Sequence, residues 1–145
     1  MLEWFLAVLH VSAFIALIVF LSGQISLCRV QWWNDAVLQR LQRLNRLYWG
    51  SVVTVLLTGL MRATFGIKGW YFYEQQPIFW FKLVAFLAVV SMSLRVNRAY
   101  RHWMMYLYHS AQEIDRIRRW MMIQAHLIML FPILGLMMAY GLGLK

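Results

Sequence analysis

The 145-residue chain is 63% hydrophobic and 17% aromatic but only 13% charged, with a mean hydropathy of +0.61. A soluble domain carries roughly 25% charged residues and a disordered chain has few aromatics, so both classes are excluded. Fourteen Lys and Arg against five Asp and Glu leave a net charge of +9 with little other polar surface. That balance suits a membrane protein at an anionic leaflet and not a nucleic-acid binder. The single cysteine, Cys28, rules out an internal disulfide.

From Trp4 to Leu21 the sequence reads WFLAVLHVSAFIALIVFL, and the apolar character resumes from Ile25 to Cys28, which places a first span at 4–28. About 20 helical residues cross a bilayer core. A cleaved signal peptide needs a basic start and a small-residue cleavage site. Glu3 stands where the base belongs and no such site follows, so the segment is expected to stay as a helix. Asn34 and Asp35 are plausible caps for NDAVLQRLQRLNRLYW. There Val37, Leu38, Leu41, Leu44 and Tyr48 share one face and Gln39, Arg43 and Arg46 the other, an amphipathic helix running into a second span at 47–64. Gly66 and Gly69 break the next connection, whose GWYFY run is an interfacial aromatic cluster. Pro77 opens a third helix with a span at 78–97. His109 and Ser110 form the following turn, and Ser110 with Glu113 reads as a capping box that opens a fourth helix ahead of its span at 120–142. Pro132 lies inside that span and should kink it.

The expected fold is therefore all-α: one domain, residues 1–145, a polytopic four-transmembrane-helix bundle with helices extended into the cytoplasm. Arg29, Arg40, Arg43 and Arg46 in the first connection, and Arg95, Arg98, Arg101, Arg116, Arg118 and Arg119 in the third, put both connections inside. The second connection holds only Arg62 and Lys68 against Glu74, so both termini face the periplasm of a bacterial inner membrane. Trp4, Trp70, Tyr71, Tyr73 and Trp80 would mark the outer interface, and Trp32, Trp33, Trp49, Trp103 and Trp120 the inner one. The arginine-rich extensions would lie on anionic lipid headgroups, worth about 1 kcal/mol per basic side chain. Small residues at four-residue spacing (Ser12 and Ala16; Gly50, Thr54 and Thr58; Gly135, Ala139 and Gly143) would let helices, or the subunits of a homo-oligomer, approach closely.

Ionisable groups inside spans are functional hypotheses by default. His10 sits roughly 12 Å below the outer end of the first helix at 1.5 Å per residue, flanked by Ala7 and Ala13. It is either a haem or metal ligand or a histidine hydrogen-bonded across the bundle. Lys82 lies one turn into the third helix, at the wrong end of the dipole for a cation. It either snorkels to headgroups or pairs with an anion in the bundle. Both residues fall in the outer half, where one cavity can hold them with Arg62. His126 starts from the opposite side, and the height difference, roughly 9 Å at helical rise, argues against bis-histidine haem. The methionines, among them Met92, Met129, Met137 and Met138, read as gap fillers. No P-loop, GxGxxG, CxxC or HExxH is present, and no acidic pair lies within a span, so chemistry here would come from a bound cofactor.

The order of LAVLHVSAFIALIVFLSG, LYWGSVVTVLLTGLMR and a third helix opening with WFKL resembles the HemJ-type protoporphyrinogen oxidases, across residues 5–98. These are small four-helix bacterial membrane proteins that bind b-type haem and oxidise protoporphyrinogen IX to protoporphyrin IX. The resemblance maps the family's intramembrane histidine onto His10 and its lysine onto Lys82. The family's Asn-Glu pair before helix four is missing, with Glu113 and Asp115 standing among arginines instead. The chain is equally similar to a group of uncharacterised proteobacterial four-helix inner-membrane proteins. Together these imply haem b held by His10, with Lys82 or Arg62 pairing a propionate or a porphyrin carboxylate. A non-enzymatic accessory or assembly protein is the alternative, and a small transporter ranks last because few polar residues line the helices.

Overall fold

The computed structural model describes residues 1–66, 69–106 and 110–140. Lys68, His109, Leu142 and Gly143 lie outside the described residues, as does the side chain of Ala139. The described chain is helical throughout, with no strand: α1 (Leu2–Leu27), a single 3-10 turn (Val30–Trp32), α2 (Asp35–Phe65), the short α3 (Gly69–Glu74), α4 (Pro77–Tyr106) and α5 (Ala111–Ala139).

Local chemistry accounts for the helix starts. Asn34 caps α2 by accepting the Val37 amide at 2.9 Å. Ser110 and Glu113 form the expected capping box at the start of α5, with the Glu113 amide donating to Ser110 Oγ at 3.2 Å. Pro77 occupies the first position of α4, where a missing N–H costs nothing. Gly66 ends α2 at a point where any Cβ would collide with the Arg62 carbonyl oxygen, and Gly69 then takes a left-handed φ of 65° to start α3.

The long helices form two antiparallel hairpins, α1 with α2 and α4 with α5, set against each other. α1 buries Leu6, Ala13, Leu17, Leu21 and Gln24, and α2 buries Leu38, Leu41, Tyr48, Val52 and Val55, spacings of three, four and seven that keep one stripe on the partner, with Val37 beside it. Towards the arginine-rich end Leu38, Leu41, Tyr100, Trp103, Ile114 and Cys28 form a closed core. There water supplies the driving force, about 1.5–3 kcal/mol for each large apolar side chain fully buried. In the apolar stretches lipid removes that gain, and packing and interhelical hydrogen bonds take over.

Among the described residues three helices, α1, α4 and α5, are long and apolar enough to cross a membrane, and α2 accompanies them as a fourth. α2 falls short because Gly50, Ser51, Thr54, Thr58 and Arg62 interrupt its apolar stretch. Two expectations are corrected. Trp103 is no interface anchor: it is 2% exposed and packs edge-on against Trp33 at 5.0 Å. A Cβ at Gly50 would meet nothing within 4 Å, and the close approaches fall instead at Gly23, against Leu44, and Gly59, against His10, with Gly135 in ordinary contact with Lys82.

Candidate functional site

At the α3 end the two hairpins diverge and enclose a cavity of about 610 Å³. All four long helices and α3 line it. α1 supplies His10, Val11, Phe14, Ile15 and Ile18; α2 supplies Leu56, Gly59, Leu60 and Arg62; α4 supplies Phe79, Lys82, Leu83 and Phe86; α5 supplies Phe131, Pro132, Gly135 and Met138. Phe72 and Tyr73 of α3 complete the wall. The three residues singled out in the sequence thus share one space, which chain order alone does not ensure.

His10 Nδ1 lies 2.8 Å from Thr58 Oγ1. That hydroxyl is itself 2.6 Å from the Thr54 carbonyl and has one hydrogen to give. Donating it to the carbonyl leaves Thr58 as acceptor, which assigns the ring proton to His10 Nδ1 as the tautomer that best satisfies this contact. Gly59 makes room for this pose: a Cβ there would stand 3.3 Å from His10 Cε1. Of the two alternatives at the sequence level, hydrogen bonding across the bundle is the one this contact realises.

Lys82 turns inward. A Cβ at Gly135 would stand 3.8 Å from its Nζ, so the ammonium lies against the bare backbone of α5 instead of extending to headgroups. Among the described residues neither Lys82 nor Arg62 has an ion-pair partner, and Arg62 Nε is buried without a hydrogen bond. Glu3, engaged in an interaction of its own, also lines the cavity. Two cations facing an apolar, aromatic-walled space favour an anionic group there, since an unpaired charge in low dielectric is expensive.

His126 is not part of this site. It is exposed on α5, and its Nδ1 lies 2.7 Å from the Met122 carbonyl of its own helix. Of the four methionines considered, Met138 lines the cavity, whereas Met129 and Met137 are on the outer surface. Among the described residues no three His, Cys, Asp or Glu gather to hold a bare metal ion. A macrocycle that brings its own four nitrogens needs only one protein ligand, so this donor set fits haem better than a naked metal.

Ser93 and Gln124, in sequence only scattered polar residues of the kind a transporter would need, belong to a second polar layer near the middle of the bundle. Tyr48 Oη and Ser93 Oγ are 2.8 Å apart, and Gln124 Nε2 donates to both. Next to it Asn45 donates to Asn97 Oδ1 at 2.8 Å. These groups tie α2 to α4 and α5, and each is polar on an otherwise apolar helical stripe, the one signal that would have found them.

Residues 2–143 match the model of a family described as predicted membrane protein (DUF2214). No curated protein and no solved structure matches the chain.

Proposed function

The chain belongs to this family of predicted membrane proteins, and on that premise we propose that it holds a b-type haem in the cavity at the α3 end and serves as a porphyrin-related oxidoreductase of the membrane. The observation that carries the reading is the 2.8 Å contact between His10 Nδ1 and Thr58 Oγ1 at the wall of the cavity. With Nδ1–H donated to Thr58, the lone pair of Nε2 is available as an axial ligand in a cavity that also contains two unpaired cations. A donor on the far ring nitrogen is the usual device for orienting a ligating histidine.

Phe14, Phe86, Phe131 and Pro132 offer apolar surface to a macrocycle, and a cavity of about 610 Å³ lies within the range of cofactor sites, about 300–1,000 Å³. Lys82 and Arg62 would pair the propionates, or the carboxylates of a porphyrin substrate, replacing water as counter-ions. Bound haem would supply one-electron chemistry, and oxidising protoporphyrinogen IX to protoporphyrin IX would also need a quinone-class acceptor in the membrane to take the electrons onward, with the protons released to water. The residues themselves orient and exclude water: His10 is fixed by Thr58, Lys82 by the flat face at Gly135, and the phenyl rings keep the site dry.

The test is an absorption spectrum, oxidised and dithionite-reduced, of protein purified after expression with haem precursor. A Soret band with sharp reduced α and β bands that vanishes in His10→Ala supports the reading. A featureless spectrum from monodisperse protein at good yield refutes it and leaves a membrane accessory protein in which His10 is structural.

A further inference from the structure

The walls of the cavity differ in what they leave open. Towards water, at the α3 end, Phe72, Tyr73 and Phe79 form a connected aromatic cluster, with ring centroids 5.4 Å apart for Phe72 and Tyr73 and 5.6 Å for Tyr73 and Phe79. On the flanks the lining is aliphatic and at the same time part of the outer surface. Val11 and Ile15 on α1 are 53% and 55% exposed, and Leu56 and Leu60 on α2 are 39% and 43% exposed, although all four line the cavity. Counting helical rise from the ends of α1 and α2 at the α3 side, these positions lie roughly 8–20 Å down the bundle. In a membrane-spanning bundle that is hydrocarbon depth.

A cavity lined by aromatic rings at the α3 end and by exposed aliphatic side chains along its lipid-facing flanks is suited to take its ligand from lipid. We infer that the site exchanges its occupant sideways with the bilayer, and that the occupant is an amphiphile dissolved in the membrane. Its anionic edge goes to Lys82 and Arg62, and its apolar body slides between the helices. The identity of that amphiphile as a haem or porphyrin rests on the proposed function; the lateral route rests on the four doubly exposed residues. The charge pattern agrees with the route. Among the described residues the cations lining the cavity, Lys82 and Arg62, are set back against α5 and near the end of α2, so an acid arriving from lipid meets apolar surface before its counter-ions.

Two measurements on the full chain in lipid nanodiscs test this. In the first, Leu83→Cys carries a nitroxide inside the cavity; the one native thiol, Cys28, is fully buried and stays unlabelled. Relaxation by oxygen, which concentrates in lipid, is expected to exceed relaxation by aqueous nickel–EDTA-type reagents, and to fall at least twofold when Val11→Trp and Leu56→Trp fill the flanks. Ile18→Cys on the opposite wall repeats the reading if Leu83→Cys lowers the yield. In the second, haemin is supplied already partitioned into phosphatidylglycerol vesicles. The plugged variant should reach the wild-type Soret amplitude at least tenfold more slowly. A nitroxide relaxed more by the aqueous reagent than by oxygen overturns the lateral route, as does unchanged loading in the plugged variant. If the wild type takes up no haemin, the haem reading fails, and the nitroxide result alone decides the route.

Discussion

Thr58→Val is the most informative single change, because it keeps the volume and the β-branch while deleting the hydroxyl that sets the His10 tautomer. Thr58 Oγ1 lies 2.8 Å from His10 Nδ1 and donates to the Thr54 carbonyl at 2.6 Å, which makes it the acceptor for Nδ1–H in the assigned tautomer. Without the hydroxyl the Nδ1–H faces methyl groups in a half-buried site, at a cost of about 1–3 kcal/mol for an unsatisfied donor. The imidazole can avoid that cost by moving its proton to Nε2, but it then has no lone pair facing the ligand. Either way haem affinity should fall about 10- to 100-fold, the usual loss when the outer hydrogen bond of a ligating histidine is removed. Haemin titration followed at the Soret band gives the dissociation constant, and far-UV circular dichroism checks that the helices are intact. Thr58→Ser, which restores the acceptor, should recover most of the affinity. Native affinity in Thr58→Val would refute the tautomer argument and with it the orientation of His10.

Lys82→Met removes an unpaired cation from the cavity, so the apoprotein should melt at a higher temperature while haemin or porphyrin affinity drops; a lysine at a helix centre costs roughly 2.5–3.5 kcal/mol to insert, and this shallower site somewhat less. A lower melting temperature would show that Lys82 has a structural partner. Gly59→Ala places a Cβ 3.3 Å from His10 Cε1, and the ring must shift, weakening haemin binding by about tenfold. Gly23→Ala meets only the mobile end of Leu44 at the same 3.3 Å and should be neutral, or more stable by up to about 1 kcal/mol from helix propensity. In the central polar layer Gln124→Leu removes both Nε2 hydrogen bonds, to Tyr48 and Ser93, and should cost about 1 kcal/mol, softened because Gln124 Oε1 is already unpartnered and Tyr48, Ser93 and the Val89 carbonyl remain linked. Tyr48→Phe, which strips Gln124 of an acceptor, should cost about 1 kcal/mol in thermal or SDS unfolding.

Much of the architecture was legible beforehand. Asn34 and the pair Ser110 and Glu113 announce the starts of α2 and α5, because a cap needs a side-chain oxygen within three residues of the amide it serves. The face of α2 formed by Val37, Leu38, Leu41 and Tyr48 is buried as its 3.6-residue period requires. The glycine contacts were not legible. Gly50 and Gly59 look alike in sequence, yet one faces open space and the other the His10 ring, and only the rotation of α2 against α1 separates them. Trp103 likewise looked like an interface anchor until α4 turned it onto Trp33.

For the site, sequence alone determined which residues were costly: a histidine and a lysine within apolar runs must be explained wherever they fall, because lipid offers no hydrogen bonds or counter-ions. Tertiary structure decided what they face. The divergence of the two hairpins brought His10, Arg62 and Lys82 around one cavity, and Thr58, from a different helix, assigned the proton on the imidazole. Both are long-range facts. A helical period fixes the direction of a side chain relative to its own axis, whereas neighbours across a bundle depend on how far apart and at what rotation the helices pack.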